Sequence, residues 1–105
     1  MAARISGDEF EAKVINADKP VLVDFYSDSC VACKRLAPVL GQAEEDFEES
    51  IYAYKVNTNF DAELAQKYEV TANPTILFVK GGQVIDRKVG ALRPDELNLW
   101  IKENI

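Results

Sequence analysis

Cys30 and Cys33 are the only two cysteines of the chain, and they stand three apart in 105 residues that contain no histidine. Thiol chemistry is therefore the most direct chemistry open to this sequence. Residues three apart on a helix have Cα atoms roughly 5 Å from one another, inside the roughly 4.4–6.8 Å range that a disulfide spans. The pair falls where an apolar run gives way to a helical pattern, which puts Cys30 at a helix N-terminus. Unpaired backbone N–H groups and the helix dipole favour an anion there, and the thiolate is the reactive form of cysteine.

Three other readings of the pair compete. A structural bridge across so short a loop removes little chain entropy, roughly 2 kcal/mol. A zinc site takes four ligands, and two thiolates without a histidine leave it half filled unless carboxylates or a second chain complete it. Two unrelated core cysteines are the third alternative, against which the polar lead-in Ser27-Asp28-Ser29 speaks for an exposed Cys30. A redox pair accounts for the most features.

Other ionisable residues fall near the pair. Asp24 lies inside the run Val21-Leu22-Val23-Asp24-Phe25-Tyr26. Buried there, a carboxylate loses its hydration and holds its proton more tightly unless something compensates; the alternative is that it ends the strand or faces solvent. Lys55 belongs to a strand expected to pair beside that of Asp24, as its partner or as a solvated strand-end charge. Lys34 and Arg35 fall in the first turn after Cys30, where the dipole disfavours cations. They either favour a thiolate on Cys30 or point to water.

These residues need elements to hold them. Ser6-Gly7-Asp8-Glu9 reads as a capping box opening a helix to about Asn16. The near-continuous apolar run 21–26 reads as a central strand covered on both faces. A helix from about Cys30 to Glu48 follows, with Leu36, Val39, Leu40 and Ala43 on one side and Pro38 kinking its middle. Ile51–Val56 reads as a strand, Asp61–Tyr68 as a helix, and Thr75–Val79 and Gln83–Val89 as a hairpin turning at Gly81-Gly82. Pro94 opens a last helix carrying the apolar stripe Leu97, Trp100, Ile101. Alternation of this kind predicts a single α/β domain over residues 1–105, with a partly parallel sheet completed by an antiparallel hairpin. The acidic run from Glu44 to Glu49 reads as a solvated face.

Composition narrows the function classes. A hydrophobic content of 48% and a charged content of 29% suit an ordinary soluble globule. The formal net charge of −6 argues against nucleic acid or an anionic membrane as partner. The N-terminal residues lack the apolar stretch of a signal peptide, and no segment approaches the roughly 20 apolar residues that cross a bilayer. The expectation is a cytoplasmic protein, where cysteine pairs tend to be catalytic rather than structural.

Together these residues resemble the thioredoxin family over nearly the whole chain. The likeness rests on Val21-Leu22-Val23-Asp24-Phe25-Tyr26, the Cys30-Val31-Ala32-Cys33-Lys34 pair with Pro38 beyond it, Asn73-Pro74-Thr75, Gly82 and Val89-Gly90-Ala91. It implies a thioredoxin fold, a central mixed sheet flanked by helices on both faces. It also implies a protein disulfide reductase in which Cys30 attacks, a mixed disulfide forms and Cys33 resolves it, carrying electrons from a thioredoxin reductase to disulfide-containing client proteins. Asp24 would lie under Cys33 and accept its proton, with Lys55 beside it. Pro74 matches the family's cis-proline, and Ser29, Val31, Ala32, Asn73, Pro74 and Gly90 would form the client-binding surface. No cofactor beyond the cysteine pair and no metal are implied, and the chain is expected to be a monomer.

The family usually reads Trp-Cys-Gly-Pro-Cys where this chain has Ser29-Cys30-Val31-Ala32-Cys33. Ser29 removes a large amphipathic contact beside the nucleophile, and Tyr26 and Asn73 are further changes near the groove. Ala32 restores a backbone N–H that proline lacks, expected near the Cys30 sulfur. Such a donor would stabilise the thiolate and raise the potential relative to a Val31→Gly/Ala32→Pro variant, with about 30–60 mV as the upper bound. The competing functions are a more oxidising disulfide exchanger and a binding module whose cysteines do not turn over.

Overall fold

The computed structural model describes residues 2–105, and among them one five-stranded sheet runs through the molecule. Its strands are β1 (Ala3–Arg4), β2 (Val21–Tyr26), β3 (Tyr52–Asn57), β4 (Thr75–Lys80) and β5 (Gln83–Val89), in the order β1-β3-β2-β4-β5. β1 and β2 both pair parallel to β3, while β4 is antiparallel to β2 and to β5. The helices are α1 (Gly7–Phe10), which runs on into a π-helical turn (Glu11–Ile15), α2 (Val31–Asp46), α3 (Ala62–Lys67) and α4 (Pro94–Asn104).

β2 is central because its sequence can be buried on both sides. Val21, Val23 and Phe25 face α1 and α3 with Val56, Leu77 and Val79. Leu22 faces α2 and α4 with Ala53, Ile76, Phe78, Leu36, Leu40, Trp100 and Ile101. Each large apolar side chain fully buried in these layers contributes about 1.5–3 kcal/mol. The mixed sheet with helices on both faces is the expected architecture. Trp100 belongs to the apolar stripe of α4, stands edge-on to Phe78 at 5.4 Å between ring centroids, and donates its indole N–H to Asp86 Oδ2 at 2.8 Å.

Local chemistry sets the element ends. Glu9 Oε1 accepts the Ser6 N–H at 3.0 Å, and Asn16 N–H reaches Glu11 O at 2.9 Å to close the π-turn. Gly81 and Gly82 turn the hairpin with φ of 60° and 78°, a left-handed pair that suits a two-residue connection. Glu69 takes the same region, φ 56°, past the end of α3. Its N–H bonds Gln66 O and that of Val70 bonds Ala65 O, while Arg87 donates to the carbonyls of Tyr68 and Glu69.

Three features differ from the sequence expectation. β1 carries no apolar alternation and forms because β3 offers it an edge, with Ala3 opposite Tyr54 and Arg4 opposite Lys55. α2 begins at Val31 and ends at Asp46, since Cys30 takes extended angles (φ −88°, ψ 111°) and caps the helix from outside it. Phe47–Ser50 form a turn, so Glu48 and Glu49 lie beyond the helix C-terminus, where the dipole disfavours negative charge.

Candidate redox site

The parallel strands β2 and β3 end together, and the loop from Ser27 to Cys30 leads from that edge into α2. Cys30 is half-buried at the N-cap, and its sulfur accepts the Cys33 N–H at 3.1 Å. An N-cap side chain ordinarily reaches the second or third helical N–H, and here it reaches the third. Among the described residues, no N–H of Ala32 donates to this sulfur, so the expected extra donor is absent. Cys33 is 5% exposed, on the stripe of α2 with Leu36, Leu40 and Ala43 that packs on the sheet. The two cysteines form a disulfide with a Cα–Cα distance of 5.2 Å. The unequal exposure makes Cys30 the sulfur that a large partner can approach.

Asp24 is 4% exposed, and its Oδ1 is buried without a hydrogen-bond partner. Burial pushes its carboxyl up to about 7, against the opposing pull of the Lys55 charge. Lys55 is its register neighbour on β3, with Ile76 on the other side on β4. No ion pair joins Asp24 and Lys55 among the described residues; the ammonium instead lies 5.3 Å from the centroid of the Tyr26 ring. Lys34 and Arg35 are exposed.

The opposite wall comes from the start of β4. The Asn73–Pro74 peptide is cis, and Asn73 O lies 3.4 Å from Cys30 Sγ. Gly90, with φ 97°, donates its N–H to Pro74 O at 2.9 Å, which joins the end of β5 to this wall. Ser29 and Val31 are exposed, Val31 at 70%, and Ala32 is half-buried. Val89, beside Gly90, is also exposed. Ser29, Val31 and Ala32 adjoin the cysteines along the chain, Asn73 reaches Cys30 through space, and Pro74 and Gly90 are joined to that wall by their backbone hydrogen bond.

A polar frame that sequence reasoning missed braces this edge. Asn57, 1% exposed, donates its Nδ2 to both carboxylate oxygens of Asp28 at 3.3 Å and accepts the Asn59 N–H at 2.9 Å. Thr58 Oγ1 donates to Tyr26 O at 3.1 Å and accepts from Asn73 Nδ2 at 3.3 Å. The lead-in loop and the Pro74 wall are thereby both fastened to the end of β3. The polar run Asn57-Thr58-Asn59 directly after an apolar strand was the available signal. Among the described residues, no group of three or more His, Cys, Asp or Glu is placed to hold a metal ion. Among the described residues, no helix is long and apolar enough to cross a membrane.

A disulfide between an accessible and a buried sulfur, with a near-neutral carboxyl on the sheet face that α2 covers, suits two-electron exchange with other disulfides. The family model described as Thioredoxin matches residues 2–103. The chain is 34% identical to a thioredoxin of Rickettsia bellii over 105 residues, all of both chains. It is 34% identical to thioredoxin 1 of a Nostoc species over 104 residues, covering 99% of this chain and 97% of that one. A Pseudomonas aeruginosa thioredoxin is 36% identical over 101 residues, covering 96% and 94%. The chain belongs to the thioredoxin family and is a thiol–disulfide oxidoreductase.

Proposed function

We propose that this protein reduces disulfides of client proteins with Cys30 as nucleophile and Cys33 as resolving thiol. The Cys30 thiolate attacks a client disulfide, forming one mixed S–S bond and releasing one client thiolate. Cys33 then attacks the Cys30 sulfur, closing the Cys30–Cys33 disulfide and releasing the second client thiolate. Two electrons pass to the client, and a thioredoxin reductase restores the dithiol. The observation that carries these roles is the contrast between half-exposed Cys30, which receives the Cys33 N–H, and Cys33, which is 5% exposed.

Asp24 accepts the Cys33 proton as that thiol becomes the second nucleophile, a task suited to a carboxyl near neutrality. Lys55 supplies the charge that keeps Asp24 from rising further. Ser29, Val31, Ala32, Asn73, Pro74 and Gly90 form the contact surface for the client. The chain acts as a single-domain cytoplasmic monomer and needs no cofactor beyond the cysteine pair. The test is turnover of a protein disulfide driven by a dithiol reductant: wild type accelerates it, Cys30→Ser does not. Acceleration by Cys30→Ser equal to wild type contradicts the reading.

A further inference from the structure

Tyr26 follows Asp24 by two residues on β2, so both side chains leave the sheet on the same face. Leu22, two residues before Asp24, shows which face this is: it packs with Leu36 and Leu40 of α2. Lys55 stands opposite Asp24 on β3 and shares its face with Ala53, a member of the same cluster. Asp24, Tyr26 and Lys55 are thus neighbours on the side of the sheet that α2 covers with Cys33.

A lysine this close has the reach to close an ion pair, and the buried Asp24 Oδ1 has no hydrogen-bond partner to compete with it. The ammonium nevertheless sits over the Tyr26 ring, 5.3 Å from its centroid. Lys55 and Tyr26 are both half-buried, so the contact is partly desolvated, which strengthens a cation–π attraction. The ring offers the ammonium an alternative to water on one side and to the carboxylate on the other.

We propose that Tyr26 is a positioning residue: its ring holds the Lys55 ammonium beside the Asp24 carboxyl and keeps it from leaving for water. On the Asp24 face of the sheet stand Tyr26 on β2, Lys55 and Asn57 on β3 and Ile76 on β4. The buried stripe of α2, with Cys33 and Leu36, packs over this face, and α4 presents apolar Leu97, Trp100 and Ile101 to the same layer. Lys55 is the charge that acts on the carboxyl. A lysine released to water would leave Asp24 protonated at neutral pH; the ring keeps the charge close enough to oppose that. The importance of this placement for turnover rests on the proposed proton transfer from Cys33, whereas the placement itself does not.

The experiment is a titration of Asp24 in the oxidised protein, followed by NMR of 13C-carboxyl-labelled aspartate. With the ring removed in Tyr26→Leu, the midpoint rises by about one pH unit, and Tyr26→Phe leaves it where it was. In a Lys55→Met background, Tyr26→Leu produces no further rise, because the ring acts only through the ammonium. A midpoint in Tyr26→Leu that stays or falls, or an equal rise in the Lys55→Met background, overturns the proposal. The wild-type protein gives a check that does not depend on folding of a variant: the Lys55 ε-methylene protons carry an upfield ring-current shift. Unshifted ε-protons also overturn it. If the midpoint follows the expected pattern while the rate of mixed-disulfide resolution ignores it, the placement stands and the role of Asp24 as base falls.

Discussion

The two ends of β2 treat buried groups in opposite ways. At its start, Val21, Leu22 and Val23 are buried among apolar neighbours in two layers. At its end, Asp24 is buried with an unpartnered Oδ1, and across the cysteines Asn73 Oδ1 is also buried and unpartnered. A buried polar group without a partner costs about 1–3 kcal/mol. Among the described residues, both such side-chain atoms lie at the redox edge, so the apolar end stabilises a site that the polar end weakens.

The largest stability change expected from that contrast is at the apolar end. Leu22→Ala should destabilise by about 2–5 kcal/mol, because Leu22 is fully buried between β2 and α2. Urea unfolding measures it, and a loss under about 1 kcal/mol would erase the distinction between the two ends.

Asp24→Asn should act in the opposite direction above neutral pH. The carboxyl holds its proton to about 7 in the fold against 3.8 in the unfolded chain, so the folded state binds the proton more tightly. Its contribution is most favourable below the unfolded value, declines as pH rises from 3.8 to about 7, and stays flat above. Replacing it should therefore stabilise the oxidised protein by about 2–4 kcal/mol at pH 8 and by much less at pH 4. The same variant should slow resolution of the mixed disulfide more than its formation. Equal stabilisation at both pH values, or equal slowing of both steps, would place the carboxyl outside the chemistry.

Smaller effects sharpen the boundary between the two regions. Glu69→Gly relieves a left-handed residue on the α3 side and should stabilise by about 0.5–1 kcal/mol without changing turnover. A Val31→Gly/Ala32→Pro variant should shift the redox potential by less than about 30 mV, since the Cys33 N–H that bonds Cys30 Sγ survives the change. Equilibration against glutathione decides this; a shift of about 60 mV would restore an Ala32 donor.

Much of this edge was readable from the residues. The run 21–26 announced a doubly buried strand, and the cysteine spacing announced a bridge across the first turn of α2, because periodicity and helix geometry are local properties. β1 escaped notice because its two residues carry no apolar pattern and owe their form to pairing with Tyr54 and Lys55. The Asn57–Asp28 and Thr58–Asn73 bonds join positions 29 and 15 residues apart, which no local spacing encodes. Lys55 was placed on the correct strand, but its preference for the Tyr26 ring depends on a side-chain direction set in three dimensions.

The central claim is the division of labour between the two sulfurs, and trapping tests it most directly. Reduced Cys33→Ser and Cys30→Ser are mixed with a protein carrying one accessible disulfide, quenched with acid and weighed by mass spectrometry. The account predicts that Cys33→Ser accumulates a mixed disulfide through Cys30, while Cys30→Ser accumulates none. Adducts of equal abundance in the two variants, or an adduct only through Cys33, would contradict it.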